Sequence, residues 1–211
     1  MFKLNNNEFY VIAEIANAAQ GVYEDNFKLI DLAKRAGSNA IKLQFYKYDY
    51  LAAKSYSKYE IYCNTFYSSK ERTNFVDYAT ELGLDVWVDI FDEWGFEVAK
   101  QNINNIKCIK IPPTIILDQG LVNKIISLGK PIALGVGGYT DEDIDFVLES
   151  FKEVKSELIL LYGFQGFPAQ LKDTVMSRIP YLKNRYGYEV GFADHVDANS
   201  EMALLDRKSV V

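Results

Sequence analysis

Asn39-Ala40-Ile41-Lys42-Leu43-Gln44-Phe45 is the stretch that decides the fold. Its apolar core is nearly continuous, the habit of a strand covered on both faces, as in a parallel sheet lined by helices. Side chains alternate across a strand, so Lys42 and Gln44 share one face. Both are flanked by apolar residues, which puts a lysine inside the sheet's enclosure. The alternative is that its long stem carries the ammonium outward to water.

Outward from this strand, short apolar runs alternate with longer amphipathic stretches. Strands are predicted over 9–15, 39–45, 84–90, 106–111, 132–135, 158–162 and 188–193. Helices are predicted over 24–36, 70–82, 93–101, 118–128, 140–154 and 171–184. Gly37 and Gly83 stop the first two helices, and Pro112-Pro113 ends the fourth strand. Asp118 and Thr140-Asp141-Glu142-Asp143 supply helix caps. Strands alternating with helices give an α/β architecture with a parallel sheet. No Gly-x-Gly-x-x-Gly follows the first strand, and polar groups recur at several strand ends, so a TIM-type (β/α) barrel is preferred to an open doubly wound sheet. A closed barrel has eight strands and about 250 residues, whereas the chain has 211. The expectation is therefore a single barrel domain over residues 1–211 that lacks the eighth β/α unit and is truncated at the C-terminus. Two sheet edges would be left exposed, which points to a homodimer or to a second chain completing the barrel.

Composition is that of an ordinary globular domain, with 49% hydrophobic and 25% charged residues. A net charge of −6 argues against nucleic acid and anionic membrane surfaces as partners, while leaving room for a local basic pocket. Cys63 and Cys108 fit neither a metal spacing nor a disulfide framework. Residues 1–8 lack the apolar segment of a signal peptide, and no apolar run is long enough to span a bilayer, so a soluble cytoplasmic protein is expected. The tyrosine-rich stretch 46–67 reads as an ordered surface excursion covering the barrel mouth, with a lid or sugar-stacking surface as the alternative.

The chemistry-bearing residues fall on the predicted strands. Glu14 interrupts an apolar run in the first, and a carboxylate facing inward there needs a partner or a function. Lys110 places a second ammonium in an apolar strand, so two interior lysines near one glutamate could hold an anionic substrate. Gly191-Phe192-Ala193-Asp194-His195 closes the last predicted strand with the chain's one histidine. A barrel keeps its chemistry at such strand ends.

In their order along the chain these features resemble the N-acetylneuraminate (sialic acid) synthase family, from about Tyr10 to Ala203. Ile12-Ala13-Glu14-Ile15 is similar to the family's Ile-Ala-Glu-Ile strand, and Ala36-Gly37-Ser38-Asn39-Ala40-Ile41-Lys42-Leu43-Gln44 to its Ala-Gly-Ala-Asp-x-x-Lys-x-Gln run. Ile109-Lys110-Ile111, Gly129-Lys130-Pro131-Ile132 and Leu160-Leu161-Tyr162-Gly163 followed by Phe167-Pro168 look like three further motifs. Gly191–His195 resembles the family's Gly-Tyr-Ser-Asp-His.

The resemblance implies a transferase of carbohydrate biosynthesis that condenses phosphoenolpyruvate with an N-acyl hexosamine to give a sialic (nonulosonic) acid. It also implies a divalent metal, manganese or magnesium, that polarises the sugar aldehyde. Glu14, Lys42 and Asp194 would be catalytic, Gln44, Lys110 and Gln165 would bind substrate, and His195 would ligate the metal. A second metal-binding histidine would follow an eighth strand, beyond residue 211.

Several family positions differ. Its Asn-His pair is Ala18-Ala19, its Ser-Gly-Glu is replaced around Pro113-Thr114-Ile115, and its Ser-Thr-Gly-Met turn is Gly135-Val136-Gly137-Gly138. The Asn and Tyr before the strand-six proline are Gln165 and Phe167, and the Ser before Asp-His is Ala193. The hydroxyl-bearing Ser-Thr-Pro-Phe is Val88-Asp89-Ile90-Phe91, which sets an acid where phosphate would approach and repel it. Each lost hydroxyl removes a phosphate hydrogen bond of roughly 1.5–3 kcal/mol, although the Gly137-Gly138 turn could offer backbone N–H groups to an anion instead. Two alternatives stay open: a catalytically degenerate barrel serving as a binding or assembly module, and a Schiff-base aldolase using Lys42 or Lys110.

Overall fold

Ile41, Leu43 and Phe45 turn one way from their strand and Lys42 and Gln44 the other, and that alternation sets the layers of the molecule. The computed structural model describes residues 10–152, 157–166 and 168–196. Phe167, the helix end expected at 154 and the stretch 199–211 lie outside the described residues.

Seven parallel strands, β1 (Ile12–Glu14), β2 (Ala40–Phe45), β3 (Asp85–Ile90), β4 (Ile106–Ile111), β5 (Ile132–Gly135), β6 (Leu158–Tyr162) and β7 (Glu189–Phe192), pair in sequence order. The helices are α1 (Tyr23–Arg35), α2 (Tyr48–Leu51), α3 (Tyr59–Asn64), α4 (Ser69–Glu81), α5 (Glu93–Gln101), α6 (Gln119–Ser127), α7 (Asp141–Leu148) and α8 (Arg178–Tyr186). Among the described residues β1 pairs with β2 alone and β7 with β6 alone, so the curved sheet is a barrel wall whose two outer edges do not meet.

The outward face of the wall and the helices share one large core, in which Ile41, Leu43, Phe45, Val86, Val88, Ile109 and Ile111 are buried. The inward face holds a second, smaller cluster of Ala40, Trp87, Cys108 and Ala133, with Tyr10, Ile12, Ile159 and Leu161 packed against it. Two residues further along β2, β3 and β4 the same inward face presents Lys42, Asp89 and Lys110. The interior is thus apolar toward the strands' N-terminal ends and charged toward their C-terminal ends.

Three expected elements shift. β1 is shorter than 9–15: Ala16, two residues past its end, takes φ +44°, outside the extended region. The helix expected from residue 140 starts on a Thr140–Asp143 capping box but is α-helical only to Leu148, passing into a 3-10 turn at Glu149–Phe151. The helix expected over 171–184 divides into a 3-10 turn, Leu171–Asp173, and α8. The tyrosine-rich stretch is ordered, built around α2 and α3, with Tyr46 and Tyr67 buried. No helix among the described residues is long and apolar enough to cross a membrane.

Candidate active site

β1, β2, β3 and β4 bring four charged side chains together on the inward face. Lys42 forms ion pairs with Glu14 and, at 3.2 Å, with Asp89 Oδ2, while Lys110 Nζ lies 2.9 Å from the same Oδ2. Parallel register accounts for the arrangement, since Glu14 is opposite Lys42, and Asp89 is opposite Gln44 on one side and Lys110 on the other. Asp89 is 1% exposed, Lys110 11% and Lys42 14%, whereas Glu14 on the edge strand keeps 33% of its side chain accessible. Lys42 therefore stays inside, and the outward-reaching alternative is excluded.

Electrostatics follow from this packing. Burial raises the Asp89 carboxyl, but Lys110 and then Lys42 outweigh it and hold the group below the usual carboxylate range. Burial pulls Lys42 down, yet Asp89 and Glu14 together keep it above the ordinary lysine value. For Lys110 burial wins over Asp89, and its value falls below the ordinary one. Burial pushes Glu14 up against the pull of Lys42. Below this layer, burial raises the Cys108 thiol well above its usual value, which makes it a poor nucleophile.

Asp89 has a role that the sequence reading does not contain. Beyond setting an acid where phosphate would approach, it is the counter-ion of both interior lysines. Its Oδ1 is buried and has no hydrogen-bond partner among the described residues. The signal lies in Asp85-Val86-Trp87-Val88-Asp89-Ile90. An acid on the same strand face as a buried Trp needs a partner as much as Glu14 does.

The remaining expected site residues are arranged differently. Gln44 shares the inward face with Lys42. His195 Nδ1 lies 2.6 Å from the Phe164 carbonyl oxygen, which can only accept, so Nδ1 carries the proton and the Nε2 lone pair is left for a ligand. Asp194 Oδ1 accepts from the Val196 backbone N–H, and Gln165 Nε2 donates to the Gly163 carbonyl. Among the described residues no hydrogen bond or ion pair joins Asp194, Gln165 or His195 to the charged cluster. Nor does any group of three or more His, Cys, Asp or Glu side chains there come together to hold a metal. The Gly137 turn is a close-packing device: a Cβ at Gly137 would fall 2.0 Å from the Gly163 carbonyl oxygen, and one at Gly163 would fall 2.3 Å from that of Ala193. The backbones after β5, β6 and β7 lie one against the next.

With this geometry in place, comparison with known proteins is informative. A family model described as the NeuB family matches residues 29–205. A pseudaminic acid synthase of Campylobacter jejuni is 28% identical, over 88% of this chain and 58% of its own. An N-acetylneuraminate-9-phosphate synthase of Drosophila melanogaster is 24% identical, over 88% of this chain and 54% of its own. The chain thus spans a little over half the length of these curated relatives. The crystal structure of an N-acetylneuraminic acid (sialic acid) synthetase from Leptospira borgpetersenii superposes with TM-score 0.88 at 23% identity, over 97% of this chain and 72% of that one. At that identity the likeness carries the fold.

Proposed function

The chain belongs to the NeuB family, and from that premise we propose that it forms the barrel of a carbohydrate-biosynthetic transferase. The reaction is condensation of phosphoenolpyruvate with an N-acyl hexosamine to give a sialic (nonulosonic) acid. One observation carries this reading: Glu14, Lys42 and Lys110 converge on the inward face of the barrel wall, on the C-terminal side of its apolar layer, the side on which barrel enzymes do their chemistry. Relatives named as pseudaminic acid and N-acetylneuraminate-9-phosphate synthases support it.

In this reading Lys42 and Lys110 neutralise the phosphate and carboxylate of phosphoenolpyruvate. Glu14 stabilises positive charge that develops on the enol as it attacks the sugar aldehyde. Gln44 and Gln165 contribute hydrogen bonds to substrate, and Asp194 acts from the loop after β7. A divalent ion, manganese or magnesium, would take His195 Nε2 as a ligand and would polarise the sugar aldehyde. The described residues do not make up a full ligand set. A cytoplasmic location goes with the same reading.

The second reading is a barrel that retains the fold as a binding or assembly module. It is favoured by Asp89, which already satisfies both lysines. A Schiff-base aldolase gains no support from Lys42, because an ammonium held above its ordinary value is a poor amine nucleophile.

The test is manganese-dependent consumption of phosphoenolpyruvate with N-acetylmannosamine and related N-acyl sugars. It is run on this chain and on any longer gene product that contains it. Turnover abolished by Lys42→Met or Lys110→Met establishes the synthase. Absence of both turnover and phosphoenolpyruvate binding leaves the module.

A further inference from the structure

The four interior charges, Glu14 and Asp89 against Lys42 and Lys110, sum to zero. Asp89 Oδ2 is within ion-pair distance of both ammonium groups, 3.2 Å from Lys42 and 2.9 Å from Lys110. That is the place an incoming phosphate or carboxylate oxygen would take between two lysines. A polyanion arriving there meets cations that are already neutralised, and close to Asp89 it meets repulsion that a site of low polarity does little to screen. Among the described residues the other oxygen, Oδ1, is buried without a hydrogen-bond partner, and no third group there pins the carboxylate in place. Among the described residues its polar partners are the two lysines.

We propose that Asp89 is an internal anion that occupies the seat between Lys42 and Lys110 and competes with phosphate-bearing ligands for it. The inference rests on the reading of these lysines as the anion seat of the proposed synthase, and it names Asp89 as the residue that sets the affinity of that seat. Binding of phosphoenolpyruvate then requires the Asp89 carboxylate to leave at least one lysine. Removing its charge opens the seat.

The experiment titrates inorganic phosphate and, separately, phosphoenolpyruvate into the full chain by calorimetry and by thermal melting. The proteins compared are wild type, Asp89→Asn, Asp89→Ser and Asp89→Glu. The expected result is phosphate affinity at least about tenfold higher in the Asn and Ser variants, with a phosphate-dependent rise in Tm larger than in wild type. Asp89→Glu keeps the charge and stays close to wild type. Should the neutral variants unfold without anion, added phosphate restores their cooperative melting, because it takes the place of the missing carboxylate. Unchanged or weaker phosphate binding in folded Asp89→Asn overturns the proposal. So do neutral variants that phosphate does not rescue.

Turnover assays separate this outcome from the fate of the synthase reading. Tighter phosphate binding with no turnover on any N-acyl sugar sinks the synthase and leaves the role of Asp89 standing. Turnover in wild type without tightening in the variants sinks the role of Asp89 alone.

Discussion

Asp89 and Lys110 show what a buried pair does to its surroundings. An ion pair taken out of water is a weak source of stability as a whole, but breaking it by removing one partner strands the other charge, at a cost of about 3–5 kcal/mol. Lys110→Met should therefore destabilise the protein, by less than that amount, since Asp89 keeps Lys42 as its remaining counter-ion. Lys110→Met combined with Asp89→Leu removes both charges and leaves Lys42 paired to Glu14. The double variant should then be more stable than the sum of the two single effects by at least about 1 kcal/mol. Urea denaturation of the four proteins measures this coupling, and strictly additive losses would show that the pair is not coupled.

The same carboxylate gives the molecule a pH signature. Its folded-state value is depressed, so its contribution is fully present above the unfolded value of about 3.9 and is lost as pH falls through the folded value. Wild type should lose stability on acidification below about pH 4 more steeply than Asp89→Asn, which starts lower at neutral pH. Parallel stability curves for the two proteins would contradict the depressed value. Much of this site is legible residue by residue: alternation along β2 and β4 by itself turns Lys42 and Lys110 inward. The role of Asp89 is not legible, because it depends on the register of β3 against both neighbours, and pairing between strands leaves no local mark in a sequence.

At the scale of elements, β4, β5 and β6 run over the residues their apolar runs indicated, because largely apolar strands bounded by proline, glycine or charge have little freedom in where to stop. The slip at α8 has a different cause. Pro180 lacks an N–H and is tolerated only in the first turn of a helix, so a helix containing it has to begin close to Arg178 rather than at residue 171. Its far end, two residues beyond the expected one, is set by Gly187 with φ +72°, a left-handed cap that suits glycine. Capping also separates two otherwise similar serines. Ser68 accepts from the Glu71 backbone N–H while the Glu71 carboxylate accepts from the Ser68 N–H, whereas Ser177 makes no side-chain cap at the start of α8. Ser68→Ala should cost about 1 kcal/mol, and Ser177→Ala should stay within about 0.5 kcal/mol of wild type. Equal melting temperatures for the two variants would show that the α4 box contributes nothing.

At the scale of the molecule, the decisive feature is the wall of seven strands that the described residues form, with two outer edges. β3 lies between two partners and is buried along nearly its whole length, while β1 has three residues, one partner among the described residues and no fully buried position. Amide hydrogen exchange should follow that gradient. Protection in β3 and β4 should approach the global stability, and β1 should exchange through local opening at much lower free energy. Glu14 rides on this loosest strand and is tied inward through Lys42, so Lys42→Met should accelerate exchange at residues 12–15 more than at 85–90. Protection of β1 equal to that of β3 would mean that its outer edge is covered in solution. A cover supplied by a second copy of the chain would make that protection rise with protein concentration, because association follows mass action. A cover supplied from within the chain would leave it unchanged. Exchange measured at two concentrations therefore reports whether the barrel wall closes on itself or on a neighbour.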